Sequence, residues 1–256
     1  MSEYLLKIKN TSKKFGGLIA LNNVSMNVAN KSISGLIGPN GAGKTTLFNV
    51  ITGFVSPDSG LFTLNNQTYI PNSIHKVSRS GISRTFQNIR LFSQMTALEN
   101  VMVGRHFHTK GIHSGVLGSL LRTEKFKKTE ADISKSSLEL LKLVQIEDKA
   151  NFVANTLSYG DQRRLEIARA LATQPSLLAL DEPAAGMNPT EKQELKKLLI
   201  NLNETGISIL LIEHDVKLVM GLSKNVYVLD RGQIISFGNP EKVQRDPKVI
   251  EAYLGK

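Results

Sequence analysis

The chain of 256 residues contains no cysteine. A disulfide framework is therefore excluded, and the composition suits a reducing cytosol. Long hydrophobic runs are missing as well. The longest, such as Ile207 to Ile212, are strand-sized, far short of the roughly 20 apolar residues of a membrane span. Met1-Ser2-Glu3-Tyr4 leads into a mixed polar stretch with no apolar core segment, so no signal peptide is expected. Acidic residues are in deficit, and the net charge is +10. The bases are scattered, apart from a denser patch at Arg122 to Lys128, and read as a solvated surface rather than a nucleic-acid or lipid footprint. No internal repeat or low-complexity tract occurs. What the chain does have is a hydrophobic content of 41%, ample for a buried core in one large domain or two small ones.

The most informative stretch is Gly38-Pro39-Asn40-Gly41-Ala42-Gly43-Lys44-Thr45-Thr46, which has the G-x-x-x-x-G-K-[ST] spacing of a phosphate-binding loop. An apolar strand, Ser32 to Ile37, precedes it, and Leu47-Phe48-Asn49-Val50-Ile51 after it continues as a helix that stops near Gly53. The residue types suit phosphate. Glycines lack a Cβ, so backbone N–H groups can turn inward around anionic oxygens, and the helix N-terminus adds partial positive charge. Lys44 supplies a full charge for the β- and γ-phosphates, and the Thr45 hydroxyl can ligate Mg²⁺. A nucleotide site is expected here.

Short alternating segments in the N-terminal third (Tyr4 to Lys9, Leu21 to Val28, Leu61 to Leu64) are separated by Gly16-Gly17, Asn30-Lys31 and Asn65-Asn66, and predict antiparallel strands. The strand before the phosphate loop is expected to leave them for a different sheet. Between Thr96 and Val144 the period becomes helical, with Leu138, Leu141 and Val144 on one face. Gly, His and Ser residues from Arg105 to Ser119 read as a loop. From Leu157 the pattern is α/β again. Ser158 and Asp161 open a helix that turns Leu165, Ala168, Leu171 and Ala172 inward. Leu177 to Leu180 is an apolar strand ending in Asp181-Glu182-Pro183. Asn188-Pro189-Thr190-Glu191 starts a helix with Leu195, Leu198, Leu199 and Leu202 on one face. Ile207 to Ile212 is a buried strand closed by Glu213-His214-Asp215. Asp230-Arg231-Gly232 turns a hairpin, and Pro247 to Leu254 forms a final helix.

Three features accompany the phosphate loop. An apolar strand delivers Asp181, placed to help hold Mg²⁺, and Glu182, placed to polarise an attacking water. His214 follows the next strand. Leu157-Ser158-Tyr159-Gly160-Asp161-Gln162 makes a helix N-terminus suited to an anion. Together with Gln87 in Arg84-Thr85-Phe86-Gln87, and in this order, they resemble an ATP-binding cassette (ABC) ATPase over essentially the whole chain. The resemblance implies an α/β fold: a P-loop NTPase core with a mixed sheet (about 1–95 and 155–256), an N-terminal antiparallel β subdomain and an inserted helical subdomain (about 96–154). It also implies that Phe15 stacks on adenine, that Gln87 reports on Mg²⁺ and the transport partner, and that His214 contacts the γ-phosphate. Two cassettes would face each other, with Ser158 and Gly160 of one completing the ATP site of the other.

Arg84 to Phe92, Met95 to Val101, Leu157 to Ala168 and Asp246 to Gly255 are similar to the hydrophobic, branched-chain amino-acid uptake cassettes. This implies integral membrane permease subunits as partners, a solute receptor acting through them, and a peripheral position on the cytoplasmic face of the membrane. Two departures from the general cassette pattern are Tyr159 and Asp161, where Gly and Gln are commonest, and Asn188 in place of Asp. Other cargoes, such as urea or a lipid, fit the same machinery. A cassette directed to nucleic acid or ribosomes usually carries two cassettes or a long coiled coil, whereas this chain has one phosphate loop and no sustained heptads. His106, His108 and His113 lack an acid or Cys to complete a metal set. The basic residues around Lys125-Phe126-Lys127-Lys128 read as a solvated helix face.

Overall fold

Gly16-Gly17 turns the chain between two twelve-residue strands, β1 (Tyr4–Phe15) and β2 (Leu18–Ala29), in the computed structural model, which describes residues 3–106 and 124–254, with side chains in the second stretch from Lys128 onward. The strands run longer than simple alternation predicts, because their register slips around Asn10 and Asn23. Both residues have positive φ, 52° and 55°, a conformation that Asn tolerates better than most side chains. Hydroxyls secure the irregularities: Asn10 N–H donates to Ser25 and Asn23 N–H to Ser12. Strands β4 (Ser59–Leu64) and β5 (Gln67–Thr68), joined by Asn65-Asn66, complete an antiparallel sheet of order β2-β1-β4-β5.

Strand β3 (Ile33–Ile37) is buried at all five positions and leaves for a second sheet. It feeds the phosphate loop and helix α1 (Lys44–Ile51). The chain then forms α2 (Ile74–Ser80) and the short strand β6 (Ile82–Arg84), two elements with no clear period in the sequence.

Residues 88–174 form one of two compact units, wider than the 96–154 segment marked by the change of pattern. Among its described residues the α-helices are α3 (Ala97–His106), α4 (Glu124–Leu143) and α5 (Tyr159–Leu171). Leu141 and Val144 face inward as expected, with Ile133 and Ser137 beside them, while Leu138 is 43% exposed; at that turn of the helix Ser137 takes the inward place. The buried Asn100 amide holds the turn before α3, accepting from Phe92 N–H and donating to the Phe92 and Thr96 carbonyls. The loop expected from Arg105 to Ser119 lies outside the described residues beyond His106.

The other unit joins 1–87 to 175–256. Its second half is β7 (Leu177–Asp181), α6 (Pro189–Glu204), β8 (Ser208–Ile212), α7 (Val216–Met220), β9 (Asn225–Asp230), β10 (Gln233–Gly238), α8 (Pro240–Gln244) and α9 (Pro247–Leu254). The second sheet has the order β10-β9-β3-β8-β7-β6. Its strands are parallel except β10, which closes a hairpin with β9. The near-continuous apolar runs of β3, β7 and β8 are what burial on both faces of a parallel sheet requires. Helix α6 starts with the expected capping box, Asn188 with Glu191, and buries Leu195, Leu198, Leu199 and Leu202. The fold is α/β, with the C-terminal ends of β3, β7 and β8 side by side, where open parallel sheets bind ligands.

Gly35 shows how tightly the central strand is covered. A Cβ there would lie 2.3 Å from Val219 Cγ1 and 2.8 Å from Ser223 Oγ. Gly35→Ala should therefore destabilise the protein by about 1–3 kcal/mol through overpacking. Gly17→Ala, where a Cβ meets nothing within 4 Å, should unfold close to wild type. Urea titrations of the two variants followed by far-UV circular dichroism would check this, and equal midpoints would refute it.

Candidate functional site

The phosphate loop is braced by backbone from both sheets of its unit. Gly38 has φ 154°, and a Cβ there would sit 2.0 Å from the Leu229 carbonyl oxygen; at Gly43, with φ 102°, it would sit 2.6 Å from the Ala20 oxygen. Only glycine permits this approach. The hairpin after β9 adds two bonds: Gly232 N–H donates to Ala42 O at 2.9 Å, and Gly232 O accepts from Asn22 N–H at 2.8 Å. The Lys44 side chain folds back over the loop, with Nζ donating to Gly38 O at 2.7 Å and to Pro39 O at 2.9 Å. Burial pushes its ammonium pKa down, and the negative charge of Glu182 opposes that shift.

Asp181 ends β7 almost fully buried, and its Oδ2 accepts from Arg84 Nη2 at 2.7 Å. Arg84 reaches it from β6, the neighbouring parallel strand. Its Nη1 donates to Asn49 Oδ1 at 2.6 Å and Thr52 Oγ1 at 3.0 Å, on α1 and at its end. The guanidinium packs against the rings of Phe48 and Phe54, each 4.7 Å to the centroid, and Phe86 at 5.4 Å. One cation thus fixes the strand-end carboxylate to the helix that follows the phosphate loop.

Glu182 leaves the strand with φ 48°, in the left-handed region where a non-glycine residue is uncommon. Both of its oxygens are engaged. Gln87 Nε2 donates to Oε2 at 2.9 Å, and His214 Nε2 lies 2.6 Å from Oε1. Next to His214, Glu213 is buried; desolvation pushes its carboxyl pKa up, backbone N–H groups pull it down, and the upward shift prevails.

These groups face a cleft of about 690 Å³. One wall is Phe15, Leu18 and Ile19, and the floor is the loop from Asn40 to Thr46; Gln87, Glu182 and His214 stand at the side. Of the residues expected from the sequence, the structure brings together Phe15, Asn40 to Thr46, Gln87, Glu182 and His214. Gly38, Pro39 and Asp181 support the cleft without lining it. Ser158 and Gly160 belong to the helical unit, at the start of α5. There Ser158 Oγ caps Asp161 N–H and also donates to Asp161 Oδ2 at 2.6 Å, the same oxygen to which Lys149 Nζ donates at 2.7 Å. Burial would raise the Asp161 pKa, but the bonds from Lys149 and Ser158 bring it below its ordinary value.

Sequence reading missed the placement of Arg84, which no periodicity marks, and of Leu18, Ile19, Arg231 and Gly232, which reach the cleft only through hairpin geometry. Glu213 had a usable signal, since it ends an apolar strand as Asp181 does. Among the described residues no group of three His, Cys, Asp or Glu side chains is arranged to hold a metal ion. His106 lies 3.5 Å from Glu130, and His108 and His113 fall outside the described residues. The side chains of Lys125, Phe126 and Lys127 also fall outside them. Among the described residues, no helix is long and apolar enough to cross a membrane.

Residues 21–185 match the ABC transporter family model, and 233–256 match the model described as branched-chain amino acid ATP-binding cassette transporter. The chain is 44% identical, over the full length of both proteins, to the high-affinity branched-chain amino acid transport ATP-binding protein BraF of Pseudomonas aeruginosa. It is 45% identical, again over both full lengths, to LivG of Escherichia coli, which carries the same description. Among solved structures, the ADP conformation of MJ1267, an ATP-binding cassette of an ABC transporter, superposes over all of both chains with a TM-score of 0.85 and 33% identity. A glycine-braced phosphate loop, an acid pair at the end of β7, and full-length likeness to such proteins place the chain in the ABC transporter family, as an ATP-binding, ATP-hydrolysing cassette.

Proposed function

We propose that this cassette energises the uptake of branched-chain and related hydrophobic amino acids from the cytoplasmic face of a membrane. Residues 1–256 act as one ATPase domain with a helical insertion. It pairs with a second cassette and drives integral permease subunits, and through them a solute receptor; nucleic acid has no part. The full-length likeness to BraF and LivG, which extends through the C-terminal 233–256 segment, supports the cargo. The contact of Glu182 with both Gln87 and His214, in the cleft floored by the phosphate loop, carries the chemistry.

Phe15, beside Leu18 and Ile19, offers an apolar wall for the adenine. Gly38 to Thr46 wrap the phosphates, with Lys44 against the β- and γ-oxygens. The Thr45 hydroxyl, the Gln87 amide and the Asp181 carboxylate are oxygen donors of the hard type that Mg²⁺ takes, and they are the residues that would hold it. Mg²⁺ held by these residues would supply positive charge against the charge that develops on the phosphates. Each Glu182 oxygen already has one partner, and a carboxylate keeps about four acceptor positions, so Glu182 can still accept a proton from the attacking water. His214, against Glu182 Oε1, is placed to orient that carboxylate and to reach the γ-phosphate. Ser158 and Gly160, at an exposed helix start, serve the phosphates of the opposing cassette.

Glu182→Gln keeps the side chain's size and removes the base. Turnover should fall by roughly 10²–10⁴-fold, while ATP affinity in a calorimetric titration stays near wild type and an ATP-bound dimer accumulates on gel filtration. Turnover within twofold of wild type would return Glu182 to an ordinary strand-end acid. The cargo is tested separately, in vesicles holding the permease subunits and receptor. Leucine, isoleucine or valine should stimulate ATP hydrolysis and accumulate inside. Stimulation by urea or a lipid with no response to these amino acids would overturn the cargo and leave the ATPase chemistry standing.

A further inference from the structure

We propose that Glu213 is a positioning residue for hydrolysis, whose buried carboxylate ties the turn carrying Glu182 to the turn carrying His214. This rests on the reading of Glu182 and His214 as partners in ATP cleavage, and adds the device that holds them in register.

Strands β7 and β8 are paired up to Asp181 and Ile212. Beyond that point the regular ladder ends, and two separate turns carry the two side chains. The first turn begins with Glu182 in the left-handed region, its N–H still bonded to Ile212 O at 2.9 Å. A non-glycine residue held there is strained and persists only where its surroundings determine it. The turn continues through Ala185 N–H to Glu182 O and Met187 N–H to Ala184 O, bonds internal to itself. Besides the contact of His214 Nε2 with Glu182 Oε1, the side chain of Glu213 links this turn to the second. Its Oε1 accepts from Ala184 N–H at 2.7 Å and its Oε2 from His214 N–H at 3.2 Å; the Asp215 N–H also supports the carboxylate. Ala184 lies two residues past Glu182, and His214 directly follows Glu213.

The surrounding charges argue against a simple ion pair. Lys192 is engaged by Asp215 at 2.7 Å, Glu182 is a like charge, and among the described residues no cation lies within salt-bridge distance of Glu213. A buried carboxylate with no cation in direct contact is costly. What it supplies instead is acceptors for N–H groups from two loops at once, with the strength of charge-assisted bonds. The amide of Gln has one oxygen to accept and an NH₂ that would face a donor, so Glu213→Gln keeps the volume and breaks one of the two links.

The experiment uses the full chain and compares wild type, Glu213→Gln, His214→Ala and the double variant. ATP affinity is measured by calorimetry, and kcat and KM by phosphate release. Glu213→Gln should lower kcat by about 10²-fold, the scale of a misplacement near 1 Å, with KM and ATP affinity within twofold of wild type. The double variant should be no slower than His214→Ala alone, because residues that act as a unit do not lose rate additively. Additive losses, or a raised KM with unchanged kcat, would overturn the proposal. If Glu213→Gln does not fold, Glu213→Asp keeps the charge but is one methylene too short to span both turns. It should show the same kcat loss, and wild-type kcat in that variant refutes the bridge. Loss of turnover in Glu182→Gln and His214→Ala but not in Glu213→Gln removes only the positioning role. Wild-type turnover in Glu182→Gln and His214→Ala removes the hydrolytic reading and this inference with it.

Discussion

The buried pair of Arg84 and Asp181 is the constraint on which the site depends. A salt bridge so poorly exposed gives little net stability, since desolvating two charges offsets most of their attraction. Its value lies in geometry. Guanidinium donors are set in a rigid planar fork, and here that fork spans Asn49 and Thr52 on one side and Asp181 on the other, among the rings of Phe48, Phe54 and Phe86. The helix that grows from the phosphate loop and the strand that delivers the acid pair are thereby locked in one arrangement. Lysine, a single charge on a flexible stem, could not make both connections with the same precision.

A second layer of constraint comes from the positions where backbone rather than side chains does the holding. Gly38 and Gly43 let carbonyl groups of Leu229 and Ala20 approach to distances that any Cβ would forbid. Glu182 takes a conformation that its own side chain disfavours, and the neighbouring strand accepts its N–H. Cost at these positions is concentrated where the chemistry is, a pattern expected of functional sites in an otherwise locally consistent sequence.

Much of this was legible beforehand, for identifiable reasons. The phosphate loop, the strand ending in Asp181-Glu182 and the capping box at Asn188 are local signals, each carried by residues a few positions apart. The leucines of α6 follow one helical stripe and are all buried. Legibility failed where the determinant was distant in sequence. Arg84 acquires its meaning from partners as far away as Asp181, and the bulges at Asn10 and Asn23 hide strand length by breaking alternation. Leu138 satisfies the helical period next to the true stripe, so period alone could not choose between the two. Ser137, polar yet fully buried, occupies the position that hydrophobicity would have assigned to its neighbour.

The bonds from Gly232 to Ala42 and Asn22 have a consequence for how nucleotide is felt by the rest of the unit. They enclose the phosphate loop in a ring of backbone that runs through β2 of the antiparallel sheet and the β9–β10 hairpin of the parallel one. A ligand that binds only the folded loop stabilises whatever must be folded to shape it. ATP is therefore thermodynamically linked to both sheets, and a loosened hairpin at the C-terminal edge is equivalent, in free energy, to a lower nucleotide concentration at the loop.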